Sequence, residues 1–298
     1  MGKPILLACD WGTTNLRAWT LDQAGAVVAD RDFPLGVSRL APGEAASRFE
    51  SEVRPGLDAA GLPAILCGMV GSNLGWITVP YAECPAGLGD LATRLTAAAE
   101  RVRIVPGLRC EGLAGAPDVM RGEETQVLGW LAQHPDRRTG RQFVCHPGTH
   151  AKWVLVEDGR VVRFVTAMTG ELFAVLREHS LLRSDAPVDD DAAFEEGLTA
   201  AGQGDALAAR LFTARARVVG GKAAPGSTPS YLSGLLIGAE VASVPRLLGE
   251  APGEVALLGD ARLCERYRRA LTRIGIAAEA FNGEAAAIAG LFALGAPP

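Results

Sequence analysis

Two copies of the pattern Cys-x-x-Gly-Thr, at residues 9–13 and 145–149, are the part of the sequence best suited to chemistry. Each copy follows an apolar segment, so each glycine–threonine pair is predicted to lie where a strand ends in a turn. A glycine in such a turn lets backbone N–H groups approach an anion without a Cβ in the way, and threonine hydroxyls add further donors. The pattern therefore predicts two phosphate-binding turns, formed by Gly12, Thr13 and Thr14 and by Gly148 and Thr149.

Asp10 stands at the end of the first predicted strand and would face the same space as the phosphates. A carboxylate beside phosphate requires a divalent cation between the two, usually Mg²⁺ through water. The second copy has His146 and Pro147 at the corresponding place, so only Asp10 can supply this carboxylate. His146 and His150 are separated by Pro-Gly-Thr, which is typical of a turn, and the pair is therefore not favoured as a metal site.

The segments that surround the two turns also correspond to each other. After the first turn, residues 16–21 predict a strand, 22–25 a polar turn and 26–28 a third strand. After the second turn, the same order recurs in residues 152–156, 157–159 and 160–162. The sequence thus predicts an antiparallel three-strand meander made twice. Two unrelated hairpins are the alternative, but the matching contexts favour a duplicated phosphate-binding unit.

Length and composition bound the class of protein. The chain has 298 residues, 48% apolar and 21% charged, which fits one large globular domain or two of ordinary size. Its 29 basic and 34 acidic residues include no long run of lysine or arginine, so no nucleic-acid partner is expected.

The cysteines and the apolar stretches indicate the compartment. The six cysteines lack Cys-x-x-Cys spacing, which predicts reduced thiols in the cytoplasm. Only five apolar residues precede Asp10, too few for the apolar core of a signal peptide. Several glycines and prolines interrupt the charge-free stretch 59–82, so no membrane partner is expected.

Six segments together resemble the 2-dehydro-3-deoxygalactonokinase family, which belongs to the sugar kinase/heat-shock-70/actin superfamily. They are DWGTTNLRAW (10–19), GMVGSN (68–73), VMRGEETQ (119–126), PGTHxKWV (147–154), MTGEL (168–172) and LSGLLIGAEV (232–241). The resemblance implies an α/β, two-domain actin-like ATPase fold of the ribonuclease H-like kind. Each domain would be a mixed sheet flanked by helices, with the nucleotide cleft between the domains.

The polar, breaker-rich segment 133–140 predicts the boundary between these two domains. Residues 1–132 would form the N-terminal domain, with the sugar-acid site and the first phosphate loop. Residues 141–298 would form the C-terminal domain, with the second phosphate loop and the adenosine site.

Two further segments complete the predicted cleft. Residues 255–258 read as a buried strand, followed by Gly259, by Asp260 as an N-cap, and by a helix with an apolar stripe at Leu263, Tyr267, Leu271 and Ile274. The superfamily resemblance assigns Gly259 to adenosine. The small residues of the last helix, 283–294, predict close helix packing, and residues 119–131 are its expected counterpart at the hinge.

The resemblance implies ATP-dependent phosphorylation of the terminal hydroxyl of 2-dehydro-3-deoxy-D-galactonate to the 6-phosphate. Such a transfer needs a carboxylate that accepts the hydroxyl proton. Glu123 and Glu124 open the inferred hinge helix and diverge by about 100°, so at most one faces the cleft. Periodicity does not separate them; we favour Glu123, and Asp118 is a third candidate outside the family core.

The remaining predicted contacts follow from the anionic substrate and from ATP. Arg17 and Arg121 are candidates for the substrate carboxylate, Ser72 and Asn73 are candidate donors, and Lys152 is a candidate phosphate ligand. The partners are thus a sugar acid and Mg²⁺-ATP, and a homodimer is left open. The alternatives are a same-fold kinase for another sugar or sugar acid and a non-catalytic ATP-binding regulator.

Overall fold

The computed structural model describes residues 2–202, 206–249 and 252–296, which form an α/β fold with three sheets. The strands, in chain order, are β1 (Leu6–Trp11), β2 (Leu16–Leu21), β3 (Val27–Phe33), β4 (Ala64–Gly68), β5 (Ala82–Glu83), β6 (Thr96–Ala99), β7 (Val102–Ile104), β8 (Leu108–Glu111), β9 (Pro117–Met120), β10 (Arg141–His146), β11 (Ala151–Glu157), β12 (Arg160–Ala167), β13 (Glu254–Gly259) and β14 (Ala277–Asn282).

The helices lie between and after these strands. In chain order they are α1 (Glu44–Arg48), α2 (Arg54–Gly56), α3 (Leu88–Ala92), α4 (Glu123–Gln133), α5 (Thr169–His179), α6 (Asp191–Ala201), α7 (Leu207–Val219), α8 (Thr228–Ser243), α9 (Ala261–Arg273) and α10 (Gly283–Gly295). A π-helical segment, Phe49–Val53, connects α1 to α2.

The two larger sheets begin with the same arrangement of strands. Their orders are β3-β2-β1-β4-β7-β6 and β12-β11-β10-β13-β14. In the first sheet β1, β2 and β3 pair antiparallel and β4 joins β1 in parallel; in the second, β13 joins β10 in parallel. The predicted first meander is therefore confirmed, and the second three-strand order is found where the sequence placed it.

The side chains of β1 point alternately to the two faces of the first sheet. Leu7, Cys9 and Trp11 point into one hydrophobic cluster together with Phe49, as expected for every second residue of a strand. Asp10 therefore lies on the opposite face, against which α10 packs. This alternation separates the carboxylate from the main apolar cluster of the first sheet.

A small third sheet, of order β5-β8-β9, had no sequence prediction. Its last strand, residues 117–120, includes Val119 and Met120, which the sequence had placed at the start of a helix over 119–131. The helix α4 instead begins at Glu123, because the preceding Gly122 has φ +111°, which breaks the helical path. The prediction that Glu123 and Glu124 open this helix is confirmed.

Helices α4 and α10 pack closely through glycines. A Cβ at Gly129 would overlap with the backbone of Ala286 and Gly290, and one at Gly290 would overlap with the carbonyl oxygen of Thr125. Asn282 caps α10, its Oδ1 accepting a hydrogen bond from Ala285 N at 3.0 Å. The predicted close approach of two small-residue helices is confirmed.

The chain divides into two compact units. Unit 1 comprises Met1–Gln142, Leu155–Phe164 and Asn282–Pro298, and unit 2 comprises Phe143–Val154 and Val165–Phe281. The first break falls two residues beyond the predicted linker, but α10 belongs to unit 1 rather than to the unit that precedes it. The assignment of residues 1–132 and 141–298 to two domains stays a prediction.

Unit 2 is built around α8. Gly197 of α6 and Gly234 of α8 each face the other helix where a Cβ would overlap with backbone atoms. The stretch Pro225–Leu248 has the length and apolar composition of a membrane-spanning helix, but most of it is buried inside the protein. Such burial is typical of a core helix.

Candidate functional site

The first glycine–threonine turn joins β1 to β2, and its residues Thr13 and Thr14 are exposed. Gly12 N donates to Asn15 O at 2.9 Å, which closes the turn. The carbonyl oxygens of Gly12, Thr13 and Thr14 accept hydrogen bonds from the backbone of residues 36–38 at 3.0–3.1 Å. In the described part of the chain the exposed N–H groups of Thr13 and Thr14 have no such partner. The turn thus presents donors outward, as an anion site requires.

The second glycine–threonine turn, in unit 2, is held in a similar way. Thr149 O accepts a hydrogen bond from Glu171 N at 2.9 Å, at the start of α5. A Cβ placed on Gly148 would have no atom within 4 Å, so the space in front of this glycine is open. His150 Nε2 lies 2.5 Å from Glu171 Oε2, a second link between the turn and α5.

Asp10 lies in the same row of the sheet as Arg17 on β2 and Cys67 on β4. Burial raises the pKa of Asp10 to about 6; Arg17 opposes this rise, Glu123 adds to it, and a hydrogen bond from Cys67 opposes it. The carboxylate is therefore held near another carboxylate with one arginine as the opposing charge. Such an arrangement favours binding of a further cation.

Two glycines bring α4 next to Asp10. Gly68, at the end of β4, has φ +87°, and a Cβ there would lie 2.8 Å from Trp11 O and 3.2 Å from Asp10 Oδ1. A Cβ at Gly122 would lie 3.3 Å from Gly68 Cα. Both positions require glycine, and together they place the first turn of α4 at the carboxyl ends of β1 and β4.

The two glutamates of this first turn have different surroundings. Glu124 is 0% exposed; its carboxylate accepts hydrogen bonds from Gly122 N at 2.6 Å and from Thr125 Oγ1 at 2.9 Å. Burial, with a smaller contribution from Glu123, raises the pKa of Glu124 to about 8. Glu123 is half-buried and accepts a hydrogen bond from Arg121 N at 3.0 Å. A ligand can therefore reach Glu123, whereas Glu124 is enclosed by protein.

Arg121 is a buried cation with unused donors. It is 9% exposed, its Nη2 donates to Val79 O at 2.7 Å, and its guanidinium lies 4.3 Å from the centre of the Tyr81 ring. Its Nε and Nη1 atoms are buried and have no hydrogen-bond partner in the described residues. A Cβ at Gly71 would lie 2.9 Å from Nη1, so glycine is needed beside it.

Ser72 and Asn73 follow Gly71 in the same loop and have different exposure. Ser72 is buried, and its hydroxyl donates to Met69 O at 2.7 Å and accepts from Leu74 N at 3.2 Å. Asn73 is exposed. The serine hydroxyl therefore already has two partners within the turn, whereas the asparagine side chain faces solvent.

Gly259 ends β13 as predicted and lies beside the second turn. Its φ is +151°, and a Cβ there would lie 3.6 Å from Pro147 O. Asp260 caps α9, its Oδ1 accepting a hydrogen bond from Leu263 N at 2.9 Å, so the predicted N-cap is confirmed. Ile274 was wrongly placed in the apolar stripe, because it follows the last residue of α9 and is 45% exposed.

A cavity of about 370 Å³ opens beside Asp260 in unit 2. Apolar side chains from α5, α8 and α9 line it, namely Phe173, Pro229 and Leu263, together with charged side chains such as those of Asp189 and Arg266. Pockets of this size and partly apolar lining hold small molecules. Lys152, by contrast, is 5% exposed on β11, where its Nζ donates to Thr166 Oγ1 at 2.9 Å.

Two residues of this geometry, Tyr81 and Gly36, were missed by sequence reasoning. Tyr81, which lies under Arg121, carried no signal, since a single aromatic residue in a loop is ordinary. Gly36 did carry one: it follows Thr13 by 23 residues, a spacing similar to the 21 residues between Thr149 and Gly170 of the MTGEL segment. A Cβ at either glycine would overlap with backbone of its turn.

Comparison with known proteins identifies one family. The sequence model of the 2-keto-3-deoxy-galactonokinase family matches residues 10–294. The chain is 36% identical over 287 residues to the 2-dehydro-3-deoxygalactonokinase of Escherichia coli (strain K12), covering 96% of this chain and 95% of that protein. It is 38% identical over 295 residues to a probable 2-dehydro-3-deoxygalactonokinase of Rhizobium meliloti (strain 1021), with coverage of 96% and 95%.

Solved structures agree with the sequence relatives. The crystal structure of a Sinorhizobium meliloti protein assigned to the same activity superposes with a TM-score of 0.86 at 38% identity, covering 97% of each chain. The activator of 2-hydroxyisocaproyl-CoA dehydratase from Clostridium difficile, solved with bound ADPNP, gives a TM-score of 0.52 at 12% identity, covering 97% of this chain and 94% of that one. This second likeness concerns the fold alone.

Proposed function

The chain belongs to the 2-keto-3-deoxy-galactonokinase family, and we propose that it transfers the γ-phosphoryl group of ATP to the terminal hydroxyl of 2-dehydro-3-deoxy-D-galactonate. The product is the 6-phosphate, and the reaction belongs to galactonate catabolism. Family membership carries the reaction class, that of a carbohydrate kinase with an actin-like ATPase fold. The placement of Asp10 and Glu123 beside the first turn is the observation that supports the residue assignments.

The phosphates of ATP are assigned to the two glycine–threonine turns. Two observations support this assignment: the N–H groups of Thr13 and Thr14 have no backbone partner within the described ranges, and the space at Gly148 is open there. Thr149 and Lys152 would add a hydroxyl and a positive charge. The adenosine is assigned to Gly259 and to the cavity beside the next residue, Asp260, where Phe173 and Leu263 offer apolar surface.

Asp10 is assigned to Mg²⁺. Its oxygen atoms are the hard donors that Mg²⁺ prefers, and its pKa, raised to about 6, leaves it ionised at neutral pH. Among the described residues no group of three His, Cys, Asp or Glu side chains could hold the ion alone. Bound Mg²⁺ would therefore rely mainly on phosphate oxygens and water, and would neutralise charge on the transferring group.

The substrate is assigned to the residues around α4. Arg121 is a buried cation whose Nε and Nη1 have no partner among the residues that the structure describes, which suits the carboxylate of a 2-keto acid. Asn73, Ser72 and Arg17 are assigned to the rest of the sugar acid. Glu123 is assigned as the base that accepts the proton of the terminal hydroxyl, since it is the accessible glutamate of the pair.

A coupled ADP-release assay tests this function. Wild-type protein is expected to turn over 2-keto-3-deoxy sugar acids in preference to aldohexoses and glycerol. Glu123→Gln should lower kcat by about 100-fold or more, because general-base catalysis is lost. Glu52→Gln, which changes an exposed glutamate paired with Arg48, is the matched control and should leave kcat unchanged.

The alternatives give different results in the same assay. Preference for glucose would refute the keto-acid substrate and favour a same-fold kinase for another sugar. ATP binding without a phosphorylated product, unaffected by neutralising Glu123 and Glu124, would favour a regulator. We place the reaction in the cytoplasm, in line with six unpaired cysteines.

A further inference from the structure

Glu240 of α8 is a buried carboxylate that none of the assignments above uses. It is 4% exposed, its Oε1 accepts a hydrogen bond from Trp153 Nε1 at 2.6 Å, and its Oε2 accepts one from Tyr267 OH at 2.8 Å. Burial raises the pKa of Glu240, and side-chain hydrogen bonds from Thr169, Trp153 and Tyr267 oppose that rise. Three donors from three elements thus converge on one carboxyl group.

Two of these donors belong to the segments that hold the second glycine–threonine turn. Trp153 lies on β11, the strand that leaves the turn. Thr169 opens α5, and the next two residues contact the turn directly. Glu171 N donates to Thr149 O, and a Cβ at Gly170 would overlap with the carbonyl oxygen of Gly148.

The contacts of Glu240 bring together residues from three separate stretches of the sequence. Residues 147–154, 168–172 and 232–241 had no common role in the sequence reasoning. In the structure each contributes one residue to this cluster, namely Trp153, Thr169 and Glu240. The cluster fixes the position of β11 relative to the start of α5, and the second glycine–threonine turn is attached to both elements.

We propose that Glu240 is a positioning residue for the nucleotide: by holding Trp153 and Thr169 it fixes the turn at Gly148 and Thr149. This inference rests on the proposed function, because it assumes that the turn binds the phosphates of ATP. Glu240 itself does not touch the nucleotide. Its removal should therefore weaken ATP binding while leaving the sugar-acid site, which belongs to unit 1, unaffected.

Steady-state kinetics with both substrates varied tests the proposal. Glu240→Gln replaces one acceptor oxygen by a donor, and should raise the KM for ATP about tenfold or more, with the KM for the keto acid within about twofold. Tyr267→Phe removes one of the three donors and should give a smaller change in the same direction. The matched control is Tyr231→Phe, which breaks a hydrogen bond to Thr213 Oγ1 of 2.7 Å elsewhere in unit 2.

The outcomes separate the inference from the function on which it rests. Wild-type KM values for ATP in both Glu240→Gln and Tyr267→Phe would overturn the inference alone. An equal rise in the KM for ATP and the KM for the keto acid would also overturn the inference, and so would the same rise in the KM for ATP in Tyr231→Phe. Either result would mean that Glu240 only stabilises the fold. If Glu240→Gln does not fold, Tyr267→Phe decides. Absence of any turnover by the wild-type protein would refute the proposed function first.

Discussion

At the scale of single residues, Glu123 and Glu124 show how one step along a helix changes the chemistry of a carboxylate. Their side chains diverge by about 100°, so one can face outward while the other enters the interior. The spacing of the apolar residues that follow did not decide which of the two glutamates faces outward. The burial of Glu124 and its hydrogen bond from Gly122 N settle it, and both depend on the turn before α4, which the sequence pattern did not specify.

Glu124→Gln should remove a pH dependence of stability. Burial raises the pKa of Glu124 from its ordinary 4.5 to about 8, so the folded protein keeps a proton that the unfolded chain releases. This contribution is complete below pH 4.5 and is lost as the pH rises toward 8, at up to about 1.4 kcal/mol per pH unit. Urea unfolding of the wild type and Glu124→Gln between pH 5 and 9 would measure it, and parallel pH profiles would contradict it.

Arg121→Lys should impair use of the sugar acid more than use of ATP. Lysine keeps the positive charge but loses the planar array of donors that matches a carboxylate, so we expect the KM for the keto acid to rise roughly tenfold or more. The KM for ATP should stay near the wild-type value. Arg103→Lys, at an exposed arginine of β7, serves as the control. An unchanged KM for the keto acid in Arg121→Lys would remove Arg121 from the substrate site.

At the scale of elements, local patterns predicted the strands of both meanders and the helices α4, α9 and α10. Their signals are short-range: alternating apolar residues, glycine turns and caps such as Asp260. The sheet β5-β8-β9 was missed because its strands are two to four residues long, too short for a clear alternation of apolar residues. The helix predicted over 119–131 loses its first four residues, because the positive φ of Gly122 cannot be read from the apolar period, while Glu123 and Glu124 open the helix as expected.

The contact between α4 and α10 gives a test at this scale. Gly129→Ala should destabilise the protein by about 2 kcal/mol or more, because a methyl group would overlap with backbone atoms of Ala286 and Gly290. Gly89→Ala in α3 is the control, since a Cβ there has no atom within 4 Å and alanine favours helix over glycine. Chemical unfolding of both variants is the measurement. A Gly129→Ala protein as stable as Gly89→Ala would show that the two helices do not pack this closely.

At the scale of the whole molecule, the repeated Cys-x-x-Gly-Thr pattern predicted that the two larger sheets begin with the same order of strands. The pattern did not predict which compact unit each helix belongs to. The apolar composition of α10 identifies a buried helix but not its partner, and that partner is α4, about 150 residues earlier in the chain. The copies also differ at the two residues before the glycine, Asp10-Trp11 against His146-Pro147, so only the first copy carries a carboxylate there.

The duplicated turns give a prediction that separates folding from function. Alanine at Gly148 meets open space, and alanine at Gly12 meets only Asn15 O at 3.4 Å, so neither Gly12→Ala nor Gly148→Ala should change the free energy of unfolding by more than about 0.5 kcal/mol. Each added methyl group would nevertheless occupy the space assigned to phosphate. We therefore expect either variant to raise the KM for ATP roughly tenfold, and a double variant to combine the two losses.

The measurement is steady-state kinetics together with urea unfolding of the same preparations. Gly140→Ala is not a suitable control, because that glycine has φ +72° and alanine would be strained there. Gly89→Ala again serves, being a glycine with open space and no left-handed backbone. If only one of the two turn variants changed the KM for ATP, the other turn would not bind the polyphosphate, and the functional duplication would be wrong even though the structural one stands.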